Sequence, residues 1–251
     1  MEFQGKTALV TGAASGMALL FCQCFVKEGG NAVMADINEE ALQEKVDEIN
    51  KEYPGRAVGV KCDVRNYESV TAARDKAVEA FGSIDVLVNL AGGAELRVLK
   101  QTVTTFHEVP IEVYDWGLDV NLKGQFYFCH AVMAQMAKQK SGVIINIGSI
   151  TGEEGCGANV AYSTSKSAAM NGLTKSVALA GAAYNVRCVC VAPGPVLTRE
   201  AMANMKTLMG RAAEPQEMVD LMMYLASDKA AFITGINILA DGGRNIMRNK
   251  S

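Results

Sequence analysis

Thr11-Gly12-Ala13-Ala14-Ser15-Gly16-Met17-Ala18 joins a short apolar run, Thr7–Val10, to an amphipathic stretch, Met17–Glu28. The turn between such segments places glycine where a side chain would obstruct it. Gly12 permits a tight turn, and Gly16 lets the backbone come close to whatever sits at the start of the helix. A helix N-terminus carries unpaired N–H groups and the positive end of the helix dipole, so an anion such as a pyrophosphate suits it. A glycine-rich turn alone is weak evidence, because turns use glycine for many reasons. Its setting between a strand and a helix gives it weight.

The same alternation continues outward from this turn. Strand-like runs fall at Ala32–Ala35, Ala57–Cys62, Val86–Asn89, Val143–Ile147, Arg187–Ala192 and Asn237–Leu239. Each is short, apolar on both faces and rich in Val or Ile, the pattern of a parallel strand buried on both sides. Between them lie helical stretches at Glu39–Tyr53, Tyr67–Phe81, Ile111–Lys138, Ala161–Tyr184 and Pro215–Ser227. Asn38 before Glu39-Glu40-Ala41, and Glu214 before Pro215, are helix starts. Strand and helix in alternation predict an α/β fold, a doubly wound sheet with helices on both faces. Two long loops, about 93–111 and 193–212, leave the carboxyl ends of strands, where open α/β sheets bind ligands.

The bulk numbers narrow the function. A chain of 251 residues, 49% hydrophobic and 20% charged, has enough apolar side chain for one large core, and no linker or repeat divides residues 1–251. A net charge of −3 leaves no basic footprint for nucleic acid. No apolar run approaches the length of a membrane span, and the first ten residues lack the pattern of a signal peptide. A cytoplasmic protein is expected. The seven cysteines form no C-x-x-C pair, and His107 and His130 are isolated, so reduced thiols and no metal site are expected.

Asp36 closes the second strand twenty residues beyond Gly16, near the spacing of a dinucleotide-binding fingerprint. A carboxylate there accepts hydrogen bonds from a ribose diol and repels a 2′-phosphate. The next residue is Ile37, not a base, and Ser15 precedes Gly16, so the expected cofactor is NAD. Taken alone, Asp36 would serve equally as a cap for the helix from Glu39.

Further along, Tyr162-Ser163-Thr164-Ser165-Lys166 sets Tyr and Lys on one helical face. Ser149 follows the fifth strand. Asn121 sits in Asp119-Val120-Asn121-Leu122-Lys123-Gly124, Asn89-Leu90-Ala91-Gly92 ends the fourth strand, and Pro193-Gly194-Pro195-Val196-Leu197-Thr198 follows the sixth. No one of these is specific. In this order, from Gly5-Lys6 to Asp241-Gly242-Gly243, they resemble the short-chain dehydrogenase/reductase family over essentially the whole chain.

That resemblance implies a single-domain Rossmann fold with a seven-stranded parallel sheet. It implies an NAD(H)-dependent oxidoreductase that interconverts a secondary alcohol and a ketone through Asn121, Ser149, Tyr162 and Lys166. Tyr162 would be the general acid/base, made more acidic by the Lys166 ammonium. Ser149 would stabilise charge on the substrate oxygen, and Asn121 would free a backbone carbonyl for a proton-relaying water. Cofactor contacts are implied for Gly12, Ser15, Gly16, Met17, Asp36, Ile37, Asp63, Val64, Asn89, Ala91, Gly92, Tyr162, Lys166, Pro193, Gly194, Val196 and Thr198. Members are commonly homotetramers or homodimers. Two positions depart from the pattern: Ala18 replaces the third glycine of the turn, and Leu90 the second Asn of Asn-Asn-Ala-Gly.

The substrate is less legible. Glu95 and Arg97 in the first loop, Glu153 and Glu154 after Ser149, and Met202 in the second loop are candidate contacts. Their charge favours a polyol, sugar or hydroxy acid, with Arg97 facing a carboxylate; the alternative is that these charges face water. Other readings are a steroid or 3-oxoacyl reductase, an epimerase that retains its NAD, and an NAD-binding sensor or scaffold without chemistry.

Overall fold

A computed structural model describes residues 1–248; the expected single unit ran over 1–251, and its last three positions lie outside the described residues. Seven strands form one sheet: β1 (Thr7–Thr11), β2 (Asn31–Asp36), β3 (Ala57–Lys61), β4 (Val86–Asn89), β5 (Gly142–Ile147), β6 (Val186–Pro193) and β7 (Asn237–Ala240). All pairs are parallel, in the order β3-β2-β1-β4-β5-β6-β7. Parallel neighbours require crossovers, and the helices supply them.

These are α1 (Gly16–Lys27), α2 (Glu39–Glu52), α3 (Tyr67–Phe81), α4 (Glu95–Val98), α5 (Ile111–Leu118), α6 (Gly124–Gln139), α7 (Thr151–Glu154), α8 (Val160–Ala168), α9 (Thr174–Gly181) and α10 (Pro215–Ala226). Alternation along each strand splits the core in two. Ala8, Val10, Val88 and Ile145 face α1, α2 and α10, whose Phe21, Phe25, Leu42, Val46, Val219 and Leu225 complete one layer. Leu9, Leu87 and Ile144 face α3, α6 and α9, with Val70, Phe128, Met136 and Ala178. Full burial of such side chains contributes about 1.5–3 kcal/mol each before conformational entropy is counted. Ala18 lies in the first layer, 3% exposed, so the methyl at this departure from the family pattern is packed rather than strained.

Helix starts follow the sequence signals. Asn38 Oδ1 accepts from Ala41 N at 3.2 Å. Glu217 Oε2 accepts from Glu214 N at 2.8 Å, with Pro215 opening α10.

The two longest expected helices each contain one wide, π-helical turn. Asp119–Lys123 separates α5 from α6, and Ala169–Leu173 separates α8 from α9. The cause is competition from side chains for helix carbonyls. Asn121 Nδ2 donates to Gly117 O and Gln125 Nε2 to Asn121 O, both at 2.9 Å. Thr174 Oγ1 donates to Ala169 O at 2.7 Å. The first wide turn carries Asn121, so it aims a candidate site residue.

Gly194 has a structural role of its own, where β6 leaves the sheet. A Cβ there would stand 2.6 Å from Asp241 Cα, a backbone atom that cannot swing away. Gly194→Ala is expected to destabilise the fold by about 1–3 kcal/mol, the usual cost of overpacking. Urea denaturation checks this, and an unchanged midpoint would show that the β6–β7 ends part freely.

Candidate active site

Because the strands are parallel, Thr11, Asp36, Asn89, Ile147 and Pro193 all end on one edge of the sheet. A cleft of about 380 Å³ opens there. Gly12, Ser15, Gly16, Met17, Asp36, Ile37, Asp63, Val64, Ala91 and Gly92 line it, together with Leu90 and Trp116. Ten of the residues expected to hold a cofactor therefore share one wall.

Several features of this wall fit a dinucleotide. Gly12 (φ 72°) and Gly16 (φ 60°) are both left-handed. A Cβ on Gly12 would stand 3.0 Å from Ala91 Cα, whereas one on Gly16 would meet nothing within 4 Å, so Gly16 faces open space. Ser15 caps α1 without a side-chain bond, and the first turn of α1 has no acidic residue. Its N–H groups and dipole are offered to an anion. The Asp36 carboxylate is fixed by two backbone donors, Ala14 N to Oδ2 at 3.0 Å and Asn38 N to Oδ1 at 2.9 Å. Each oxygen keeps a further lone pair. The helix cap is Asn38, not Asp36. Asp63 turns its carboxylate to Arg65, 2.6 Å away, which holds it below the usual carboxylate range.

The other expected cofactor residues stand apart from this wall. Asn89 lies 1% exposed behind it, donating to Asn146 Oδ1 at 2.9 Å. Pro193 ends β6, and Gly194, Val196 and Thr198 trace the chain beyond it; Val196 is buried and Thr198 exposed.

Two of the four candidate catalytic residues, Asn121 and Lys166, meet beside Gly92, and Lys166 also stands by the Tyr162 ring. A Cβ on Gly92 would be 3.5 Å from Lys166 Nζ and 2.5 Å from Asn121 Oδ1. Asn121 clamps the neighbouring residue: its Nδ2 donates to Gly93 O and its Oδ1 accepts from Gly93 N, both at 2.9 Å. The Asn121 backbone carbonyl, expected to serve a water, accepts from Gln125 Nε2 at 2.9 Å. Gln125 also donates to Ile147 O at 3.1 Å, the carbonyl to which Lys166 Nζ donates at 2.8 Å. One side chain thus links the carbonyls beside Asn121 and Lys166, a role the sequence did not suggest.

Tyr162 is half-buried at the third position of α8, and the Ser149 hydroxyl accepts from Thr151 N at 3.2 Å and Thr151 Oγ1 at 2.9 Å. Burial pushes the Tyr162 phenol above the ordinary range; Ser149, then Arg199 and Arg97, pull it back, and Glu95 pushes it up. Lys166 Nζ lies 5.6 Å from the Tyr162 ring centre, and the positive charges of Arg199 and Arg97 favour the phenolate. Lys166 is 3% exposed, and burial pushes its ammonium down to about 8.

Glu95 does not face a substrate. It is fully buried at the start of α4, and its two oxygens accept from Ala161 N at 3.0 Å and Tyr162 N at 3.1 Å. It satisfies the orphan donors at the N-terminus of α8 and so positions Tyr162. Glu154 bonds to Arg244 at 3.2 Å, both largely buried, and is likewise committed within the protein. Glu153 is exposed. Arg97 is exposed, and half-buried Met202 places its Sδ 3.5 Å from Arg199 Nη2.

Comparison with known proteins agrees with this geometry. A family model described as short chain dehydrogenase matches residues 6–208. A trans-4-hydroxycyclohexanecarboxylate dehydrogenase from Sinomonas cyclohexanicum is 37% identical over 97% of this chain and 94% of that protein. A cyclopentanol dehydrogenase from Comamonas sp. is 34% identical over 95% of this chain and 96% of that protein. The crystal structure of an NAD+-bound xylitol dehydrogenase superposes with a TM-score of 0.86 at 28% identity, over 97% of this chain and 100% of that one. The chain belongs to the short-chain dehydrogenase/reductase family of oxidoreductases.

Lys166 offers a test of this site. It holds its proton less tightly when folded, near 8, than when solvated, 10.5. The cost of burying its charge is therefore full below pH 8 and fades as pH rises toward 10.5. Lys166→Met is expected to raise stability at pH 7 by about 1–2 kcal/mol, with the gain shrinking in alkaline buffer, while turnover is lost. Thermal melts across pH check this. A lower melting temperature at pH 7 would mean that the bond to Ile147 O outweighs the charge burial.

Proposed function

We propose that this protein interconverts a secondary alcohol and a ketone, with NAD(H) as redox partner and Tyr162 as general acid/base. The observation that carries the reading is Tyr162 with Lys166 Nζ 5.6 Å from its ring centre, set on the edge where a cleft holds a rigid Asp36. A bound nicotinamide supplies the acceptor or donor of hydride.

The chain's own residues do the rest. In oxidation, Tyr162 takes the hydroxyl proton of the substrate; in reduction it returns one to the carbonyl oxygen. Ser149 donates a hydrogen bond to that oxygen as charge gathers on it. Arg199 and Arg97 lower the cost of the phenolate, opposing burial. Asn121 fixes the Gly93 peptide, and Lys166, held by Ile147 O, stands ready to meet a ribose hydroxyl.

Two observations support NAD over NADP. Asp36 presents its carboxylate where a 2′-phosphate would come, and the guanidinium in the cleft wall, Arg65, is already paired with Asp63. The substrate is read as a small polar alcohol, a polyol, a sugar or a hydroxy acid. Of the similar proteins, one is named for a hydroxycyclohexanecarboxylate and one for xylitol, which supports this reading, while another is named for cyclopentanol, a less polar alcohol.

Tyr162→Phe keeps the ring but removes the proton. It is expected to lower turnover by about 10³-fold or more, within the range of lost acid/base catalysis. NADH binding, followed by fluorescence, should survive, since the ring and the cleft remain. Unchanged activity in that variant would remove Tyr162 from the mechanism, and a wild-type chain that binds NADH but turns over no alcohol would favour a sensor. Asp36→Ala tests the cofactor choice. The NAD-to-NADP ratio of kcat/KM is expected to fall by about tenfold or more, one lost charge-assisted contact and one lost repulsion. A ratio that stays constant would sink the assignment of Asp36.

A further inference from the structure

Gln125 stands between two carbonyls at the floor of the site. It is the second residue of α6, 2% exposed, and its Nε2 donates to Asn121 O at 2.9 Å and to Ile147 O at 3.1 Å. Ile147 ends β5, and its carbonyl also accepts from Lys166 Nζ, on α8, at 2.8 Å. Asn121 in turn clamps the Gly93 peptide beyond β4. One series of hydrogen bonds therefore runs from Gly93 through Asn121, Gln125 and Ile147 to Lys166.

The amide has a single workable orientation. Reversed, its Oε1 would face two carbonyl oxygens, and neither could donate to it. In the orientation present, Oε1 is buried with no hydrogen-bond partner among the described residues. An orphaned buried acceptor is costly, and a methionine of similar length would avoid that cost. What the side chain contributes is its two N–H groups.

Those groups matter because of what shares their acceptor. A carbonyl oxygen has two lone pairs, so Gln125 and Lys166 together fill Ile147 O. Lysine is a flexible stem that ends in a point charge, and the position of that charge depends on its anchor. The Lys166 ammonium has no other hydrogen bond among the described residues, so the Ile147 carbonyl is that anchor. It holds Nζ 3.5 Å from where a Cβ on Gly92 would stand, and Gly92 lines the cofactor cleft. An ammonium has three donors, which leaves two for a ligand.

We infer that Gln125 is a positioning residue: it locks the Ile147 carbonyl to the turn of Asn121 and so seats Lys166 beside the cleft, with donors to spare for a ribose hydroxyl. This deepens the proposed function and rests on its NAD(H) site.

A double-mutant cycle tests the seat. The four proteins are the wild type, Gln125→Met, Lys166→Met and the double variant, and the readout is the dissociation constant for NADH, followed by fluorescence. Gln125→Met is expected to weaken NADH binding by about three- to tenfold without lowering the melting temperature, since the orphaned oxygen leaves with the amide. Lys166→Met should weaken it at least as much. The double variant should bind within about twofold of Lys166→Met alone, because a side chain that acts through Lys166 then has nothing to act on. In turnover, Gln125→Met should raise KM for NAD severalfold and leave KM for the alcohol within about twofold. Should Gln125→Met not fold, Gln125→Asn, whose amide is too short to reach both carbonyls, takes its place in the cycle.

Unchanged NADH affinity in Gln125→Met, or losses that multiply in the double variant, would overturn the inference, and so would a lower melting temperature with both KM values raised, the mark of a packing role. In each of these cases continued oxidation of an alcohol leaves the oxidoreductase reading standing. Coupled losses in a protein that turns over no alcohol would uphold the seat and end the oxidoreductase reading. A wild type that binds no NADH ends both.

Discussion

Seven strands that all run the same way impose the geometry on everything else here. A parallel ladder puts every carboxyl end on one edge, and the crossovers bury both faces, so the edge is where polar side chains can gather. Gly12, Asp36, Gly92 and Ser149 come from four different strand ends or the turns just beyond them, and they share a neighbourhood because the register gives them no other place. The apolar layers supply rigidity, and the loops supply the chemistry.

At that edge, burial and charge oppose each other. Burial moves Tyr162 and Lys166 in opposite directions, each toward its neutral form. What restrains the phenol is partly a neighbouring hydroxyl and partly two guanidiniums that approach from outside the core. The site is tuned by its rim as well as by its floor. A family pattern that names only the floor residues leaves that contribution out.

The fold was legible because the physical signal was local. Runs such as Leu9-Val10 and Ile144-Ile145 are apolar on both faces, and only a strand covered on both sides uses such a run well. Asn38 and Pro215 announced their helices by short-range bonding. The four catalytic candidates were legible as an ordered set, and the structure brings Asn121 and Lys166 together beside Gly92, with Tyr162 next to Lys166. What escaped the sequence depends on partners far along the chain. Nothing near Glu95 reveals that its carboxylate will meet amides 66 and 67 residues away, and so it read as a loop charge. The bond from Gln125 to Ile147 O, 22 residues on, escaped for the same reason. The wide turns at Asn121 and after Ala168 escaped because side-chain competition for a carbonyl has no hydrophobic period to betray it.

The buried carboxylate at the head of α8 ties the first loop to the tyrosine helix more firmly than a surface contact could. Its oxygens replace water for two amides that have no other acceptor, so the loop cannot be lifted away without uncovering them. Segment 93–110 is therefore not a detachable cassette. Grafting the corresponding stretch from a relative, in an effort to redirect specificity, would carry the seating of the helix along with it unless an acid is kept at position 95.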